Sequence, residues 1–358
     1  MKCFEAILEP YSRKHDLYQA HYRACLRARC EHAKILYQEK GPTLAGALRF
    51  LGALRSTERL PDIVPPETRT AILDRLAGWI GGRSVVQNTI GRYVYRGESG
   101  EVRICIDAED EGGIKVPELL DWSDVYFKTN YWPDLQYDAK VVPLANVSPL
   151  VLPRLAGLLG YRNSEAEWDL FGFFRVWGRI EQSLALFEAL AQLRCRKKLL
   201  AYLISADNTK EVERLEKAGV AWTTKPIPLK ELWNIAARSR LNIVRHGVGD
   251  CIPWRMTDVL AMGHCPVLDY RARTEWHVPL VENVHYLSLD LPPDTPLPLA
   301  AFNRRVAERV EAWLSTKDLI EGVAENAAAY FDNHLTPEPM GRYLLEHARR
   351  PAAPAPAL

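Results

Sequence analysis

Residues 239–269 read SRLNIVRHGVGDCIPWRMTDVLAMGHCPVLD, and this stretch most constrains the fold. A short strand-like run, Leu241 to His246, passes into a turn punctuated by Gly247 and Gly249. Pro253 then opens a helix, where its missing N–H is not needed. The helix is expected to run to about Met262, with Gly263 supplying a left-handed stop, and Cys265 to Leu268 forms a second apolar strand. Strand, glycine loop, helix, strand is a βαβ unit whose helix start faces a crevice and can receive an anion.

The chain of 358 residues is long enough for two domains. Its 47% hydrophobic and 25% charged content fits a globular protein, and a net charge of +1 offers no general attraction for nucleic acid or an anionic membrane. Seven scattered cysteines form no CxxC pair or zinc spacing, which fits reduced thiols. The start, MKCFEAILEPYSRKHD, has acids where a signal peptide needs an apolar core, and no apolar run is long enough to span a bilayer. The expectation is a cytoplasmic protein without a transmembrane segment.

The second half alternates regularly. Strands are expected over Asp169–Trp177 and Lys198–Ile204, and helices over Glu181–Leu193, Thr209–Ala218 and Lys230–Ala237. A short strand at Val284–Leu289 and helices at Leu299–Leu314, Ile320–Tyr330 and within Phe331–His347 complete it. Strands alternating with helices of about a dozen residues predict a parallel, doubly wound sheet.

The first half is less regular. An apolar segment, Phe4–Leu8, precedes a helical pattern carrying Leu17 through Leu36 and Tyr37; His15, His21 and His32 share no stripe of it and read as partly exposed surface histidines. Helices are expected at Thr43–Leu54 and Glu67–Trp79, and strands at Ser84–Asn88, Tyr93–Tyr95, Val102–Asp107, Val125–Phe127 and Val141–Leu144. The fold expectation is α/β, with two Rossmann-like doubly wound domains. The boundaries are an N-terminal domain over 1–160, a second domain over 161–330, a helix over 331–347 and a disordered Pro/Ala-rich tail over 348–358.

Candidate chemistry sits at strand ends. Asp107 and Glu109 close the strand at 102–107 within an acidic cluster that is either a base or metal site or a solvated loop. Lys128 and Asn130, flanked by aromatics, form either a lip for a sugar or phosphate or a packed strand end. Helical spacing puts Arg255 and Asp258 on one face: Arg255 is placed to clamp a phosphate and Asp258 to accept sugar hydroxyls, or the two form an i,i+3 ion pair. Asp250 stands where a helix cap belongs, and His246 ends its strand either as a crevice residue or as a structural one. Arg175 and Arg179 bracket a strand-to-helix turn that converges on the same crevice, unless they are ordinary surface arginines. The G-x-G-x-x-G, P-loop, G-x-S-x-G and H-E-x-x-H motifs are absent, and no metal set is expected.

Pro228-x-x-x-Leu232, Ala236-Ala237-Arg238-Ser239, the helix Trp254–Gly263 and Cys265-Pro266-Val267 together resemble the C-terminal half of a GT-B glycosyltransferase. The order acid, helix, Ala-x-Gly, x-Pro-Val is similar to retaining GT-B and exostosin-like transferases. Many retaining members carry two glutamates eight positions apart; here Asp250 and Asp258 occupy the matching places, a departure from that pattern. The resemblance covers about residues 170 to 345 and implies two domains facing a cleft, with the 331–347 helix crossing back. It implies a nucleoside diphosphate sugar as co-substrate, no obligatory metal or other cofactor, an acceptor not identified, Asp258 on the donor ribose or sugar, and Arg175 and Arg179 on the diphosphate. If the reaction inverts, its base comes from the first half, with Asp107 and Glu109 as the candidates. Epimerases share these motifs, so a sugar-nucleotide epimerase and a non-catalytic nucleotide-sugar-binding protein stand as alternatives.

Overall fold

The computed structural model describes residues 2–7, 13–40, 89–98, 100–149, 151, 154–177, 179–205, 207–292 and 298–349. The helices expected at 43–54 and 67–79, the strand at 84–88 and the tail from 350 onward lie outside the described residues. The chain divides into two compact units, one holding Met1–Leu144 with the chain from Thr336 onward, the other Ala145–Leu335.

The second unit is a wholly parallel sheet of β7 (Trp168–Arg175), β8 (Lys197–Tyr202), β9 (Ala221–Thr223), β10 (Ser239–Val244), β11 (Cys265–Leu268) and β12 (Leu287–Ser288). Their spatial order is β12-β11-β10-β7-β8-β9. The chain starts at a central strand, winds outward through β8 and β9, then returns to build the other side from β10. This is the order of a dinucleotide-type doubly wound sheet, and it reverses between β7 and β10.

Leu170 and Phe174 of β7 bury against Leu184, Phe187 and Leu190 of the helix Ile180–Gln192, and the Phe174 and Phe187 rings stack at 3.9 Å. Helices Leu299–Ser315 and Lys317–Tyr330 add Val306, Val310 and Val323 to this core. The helix of the βαβ unit runs Trp254–Ala261, and Gly263 follows it at φ 66°, where a side chain would be strained.

The first unit contains β1 (Cys3–Ile7), β2 (Leu36–Lys40), β3 (Ile90–Gly97), β4 (Gly100–Asp107), β5 (Val125–Lys128) and β6 (Val141–Pro143), in the order β2-β1-β3-β4-β5-β6. Its sheet is mixed rather than parallel throughout: β3 runs antiparallel to both β1 and β4, and its ladder with β4 ends with Gly97 opposite Gly100. The N-terminal helix ends at His32, so Leu36 and Tyr37 belong to a strand paired with β1 and not to the helix. His21 is buried, against the expectation of an exposed histidine.

Gln19 ties that helix, Arg13–His32, to the sheet by donating to the carbonyls of Thr89 (2.8 Å) and Ile106 (3.0 Å) and accepting from the Tyr93 hydroxyl (2.9 Å). The last helix, Pro337–Arg349, returns to this unit after the wide turn Phe331–Leu335, and Tyr343 donates to the Pro143 carbonyl at 2.9 Å. Gly341 sets its approach to the N-terminal helix: a Cβ there would stand 2.4 Å from the Cys25 carbonyl oxygen and 2.7 Å from Arg29 Cβ. Gly341→Ala is therefore expected to force the two helices apart and destabilise the unit by about 1–3 kcal/mol, as read from denaturant midpoints.

Candidate functional site

A cavity of about 340 Å³ opens where the strand order of the second sheet reverses, and it is lined by Phe174, Arg175, Trp177, Arg179, Arg245 and His246 with Gly247, Gly249, Asp269 and Tyr270. All follow or end β7, β10 and β11, so the crevice arises from strand order alone. The β10–β11 register pairs Val244 with Leu268. Continued past the strand ends, it sets Arg245 beside Asp269 and His246 beside Tyr270. Arg245 Nε accordingly lies 3.6 Å from Asp269 Oδ2, and the His246 and Tyr270 rings stack at 3.9 Å with 8° between their planes.

The expected residues Arg175, Arg179 and His246 all line this cavity. Arg175 is exposed, its guanidinium 5.2 Å above the Trp177 ring and 5.9 Å from that of Tyr202. Arg179 immediately precedes the helix Ile180–Gln192; its Nη2 meets Asp250 Oδ1 at 2.8 Å and its Nη1 donates to the Tyr270 hydroxyl at 2.9 Å. Tyr270 in turn donates to Asp250 at 2.6 Å. Asp250 thus anchors Arg179 and is not the helix cap it was expected to be; Pro253 occupies that position, with no side-chain cap bond. Gly249 and Asp250 both take positive φ, 66° and 57°, which turns the Asp250 carboxylate toward Arg179.

Arg245, Asp269, Tyr270 and Trp177 were not among the expected site residues. Burial pulls the Arg245 guanidinium below its ordinary value although Asp269 lies beside it. Burial alone would raise the Asp269 carboxyl, but His246 and Arg245 hold it below the usual carboxylate range. The cavity with Asp250 gathers three guanidinium groups against two carboxylates, three minus two, leaving one net positive charge for an anion.

Arg255 and Asp258 lie elsewhere in the same unit and do not line this cavity. The Arg255 guanidinium packs over the rings of Phe171 (4.7 Å) and Phe173 (5.4 Å), and its Nη1 donates to the Phe173 carbonyl. Burial lowers its pKa to about 10. The clamp expected of Arg255 is thereby corrected: its side chain packs on the sheet. The i,i+3 ion pair does not form either. Asp258 Oδ2 accepts from Trp233 Nε1 at 3.0 Å, while Asp258 Oδ1 and Arg255 Nη2 are buried without a hydrogen-bond partner.

In the first unit Asp107 and Lys128 are fully buried and paired at 3.0 Å. Asp107 also accepts from the Tyr126 hydroxyl (2.8 Å) and the Glu109 N–H (2.9 Å). The expectation of Asp107 as a base and Lys128 as a lip is corrected on that ground, since neither reaches solvent. Asn130 is also buried, donating to the Asp110 carbonyl and accepting from Trp132 Nε1 at 3.2 Å, so it braces the acidic loop instead of facing a substrate. Glu109 keeps partial exposure, with Thr89 Oγ1 donating to it and Lys115 Nζ at 3.4 Å.

Among the described residues no group of three or more His, Cys, Asp or Glu could hold a metal ion, and no helix is long and apolar enough to cross a membrane. All seven cysteines are free thiols. The second unit is thus a Rossmann-type α/β unit with a basic crevice at its switch point.

No family model matches the chain, and no curated protein matches it. Among solved structures it is similar to Anabaena HepE in complex with UDP and glucose, with a TM-score of 0.48 and 11% identity over 96% of this chain and 98% of that one. Acinetobacter baumannii MurG gives a TM-score of 0.44 at 10% identity, covering 96% of this chain and 98% of its own. The C-terminal domain of a glycosyl transferase group 1 family protein, LpcC from Francisella tularensis, gives 0.36 at 10% identity, covering 50% and 92%.

Burial pushes the Asp258 carboxyl up to about 6, an effect that the Trp233 N–H and Arg255 only partly offset. A carboxyl raised above its unfolded value stabilises the fold fully below that unfolded value and loses the contribution as pH rises through the folded one. Relative to Asp258→Asn, the native chain should therefore lose roughly 2–3 kcal/mol of stability between about pH 4 and about pH 6. Paired denaturant titrations across that range check it; a constant difference would contradict the buried titration.

Proposed function

We propose that the protein is a GT-B-type glycosyltransferase that binds a nucleoside diphosphate sugar in its second unit and moves the sugar to an acceptor. The carrying observation is the arginine-lined crevice at the strand-order reversal, where Arg175, Arg179 and Arg245 converge. Doubly wound sheets bind ligands there, and guanidinium groups pair well with phosphate oxygens. The helix Ile180–Gln192 starts directly after Arg179 and adds the positive end of its dipole.

In this reading the arginines neutralise the charge that develops on the departing diphosphate, so leaving-group stabilisation comes from fixed protein charge. Of the two first-unit carboxylates expected as a base, Glu109 is the one with partial exposure, and it is the candidate base if the transfer inverts. The motif resemblance between residues 170 and 345 supports the same class of donor.

Incubation with a panel of nucleotide sugars separates the reading from its rivals. Donor hydrolysis or transfer supports it, isomerisation of the donor means an epimerase, and saturable binding without product means a binding protein. Arg179→Ala is expected to weaken UDP binding by about 1.5–3 kcal/mol, roughly tenfold to a hundredfold in Kd by calorimetry. Unchanged affinity would remove the crevice from the proposal.

A further inference from the structure

His246 lines the crevice. His246 Nε2 is buried and has no hydrogen-bond partner, although the rest of its ring is fixed. Nδ1 lies 2.5 Å from Asp269 Oδ1, and the same oxygen accepts the His246 backbone N–H at 3.1 Å. Tyr270 covers one face of the ring. The imidazole therefore cannot exchange its two nitrogens without breaking the Asp269 bond and the stack.

An ionised carboxylate only accepts hydrogen bonds, so Asp269 selects the form of His246 with its proton on Nδ1. In the neutral ring Nε2 then carries a lone pair, which repels a phosphoryl oxygen. In the imidazolium Nε2 also carries a proton and gives that oxygen a charge-assisted bond. The charged and titratable groups around the ring are Arg175 at the end of β7, Arg179 before the following helix, Arg245 past β10, Asp250 in the turn, and Asp269 and Tyr270 past β11. The three arginines and two aspartates leave one positive charge with His246 neutral and two with it protonated.

We infer that Asp269 is a positioning residue that presents His246 Nε2 to the crevice, so that this nitrogen binds a phosphoryl oxygen of a nucleoside diphosphate only when the imidazole is protonated. The inference rests on the proposed function, since it places the diphosphate in this crevice. It adds a proton gate: one contact to the diphosphate is made by the imidazolium and lost with the neutral ring, while the arginine contacts persist.

Asp269→Asn relaxes the tautomer rule, because the asparagine amide can turn either its oxygen or its NH2 toward Nδ1 and so admits a neutral ring with its proton on Nε2. Calorimetry with UDP and with inorganic pyrophosphate compares wild type and Asp269→Asn from about pH 5.5 to about pH 8. Titration of the ligand itself is common to both proteins and cancels in the ratio of their Kd values. That ratio, wild type over variant, is expected to rise about tenfold across the range. His246→Gln is expected to bind more weakly than wild type at the low end and equally at the high end.

A ratio that stays constant while both proteins bind overturns the proton gate and leaves the proposed function standing. Absence of binding by wild type at every pH overturns both. Should Asp269→Asn fail to fold, nitrogen NMR of histidine-labelled wild type at high pH reads the tautomer directly, with His246→Gln assigning the signal. A proton on Nδ1 is the expected result, and a proton on Nε2 overturns the inference.

Discussion

The pairing of β10 against β7 is the constraint on which the second unit depends. Parallel strands cannot be joined by a tight turn, so each connection must carry a crossover helix. Because the chain begins in the middle of this sheet, the crossovers on either side of β7 go to opposite faces, and the loops after β7 and β10 part there. The gap between them is the crevice. Hydrogen bonding along the ladder then decides what fills it, since the Val244–Leu268 pairing places Arg245, His246, Asp269 and Tyr270 in two facing rows just beyond the strands.

Burial sorts the polar residues of the two units into different jobs. Lys128 and Asp107 satisfy each other where water is excluded, and an ion pair of that kind is costly to break and unavailable to a substrate. The arginines of the crevice are held at only part of their surface: Arg179 by Asp250 and Tyr270, Arg245 by Asp269 and the Arg179 carbonyl, Arg175 by aromatic faces. Their positions are restrained while an excess of positive charge remains. Preorganised charge of this sort lowers the cost of collecting cations around a phosphate after it binds.

Much of the second unit was legible in the sequence, because strand and helix periods there alternate cleanly and Gly219 and Gly263 mark helix ends at positive φ. Arg175, Arg179 and His246 could be read because each falls at the end of a recognisable strand or the start of a helix. Asp269 and Tyr270 could not. Their meaning comes from the neighbour that the β10–β11 register gives them, and register is a tertiary property. The antiparallel course of β3 was hidden because alternation of apolar residues is the same in either direction. Leu36 and Tyr37 continue a helical spacing by coincidence and are claimed by pairing with β1. Asp107 looked like other acids after a strand, and only its burial with Lys128 separates it from them.

The return of the last helix to the first unit bears on how the molecule is made. The second unit is one continuous segment, Ala145–Leu335, whereas the first is assembled from both ends of the chain. On a ribosome, the later segment has all of its strands before the final helix has been synthesised. The earlier one must wait with the groove beside the N-terminal helix open, Gly341 and Tyr343 not yet in place. The middle of the polypeptide can thus reach its native topology while the beginning is still incomplete. Truncation at the far end would strike the part of the protein that is translated first.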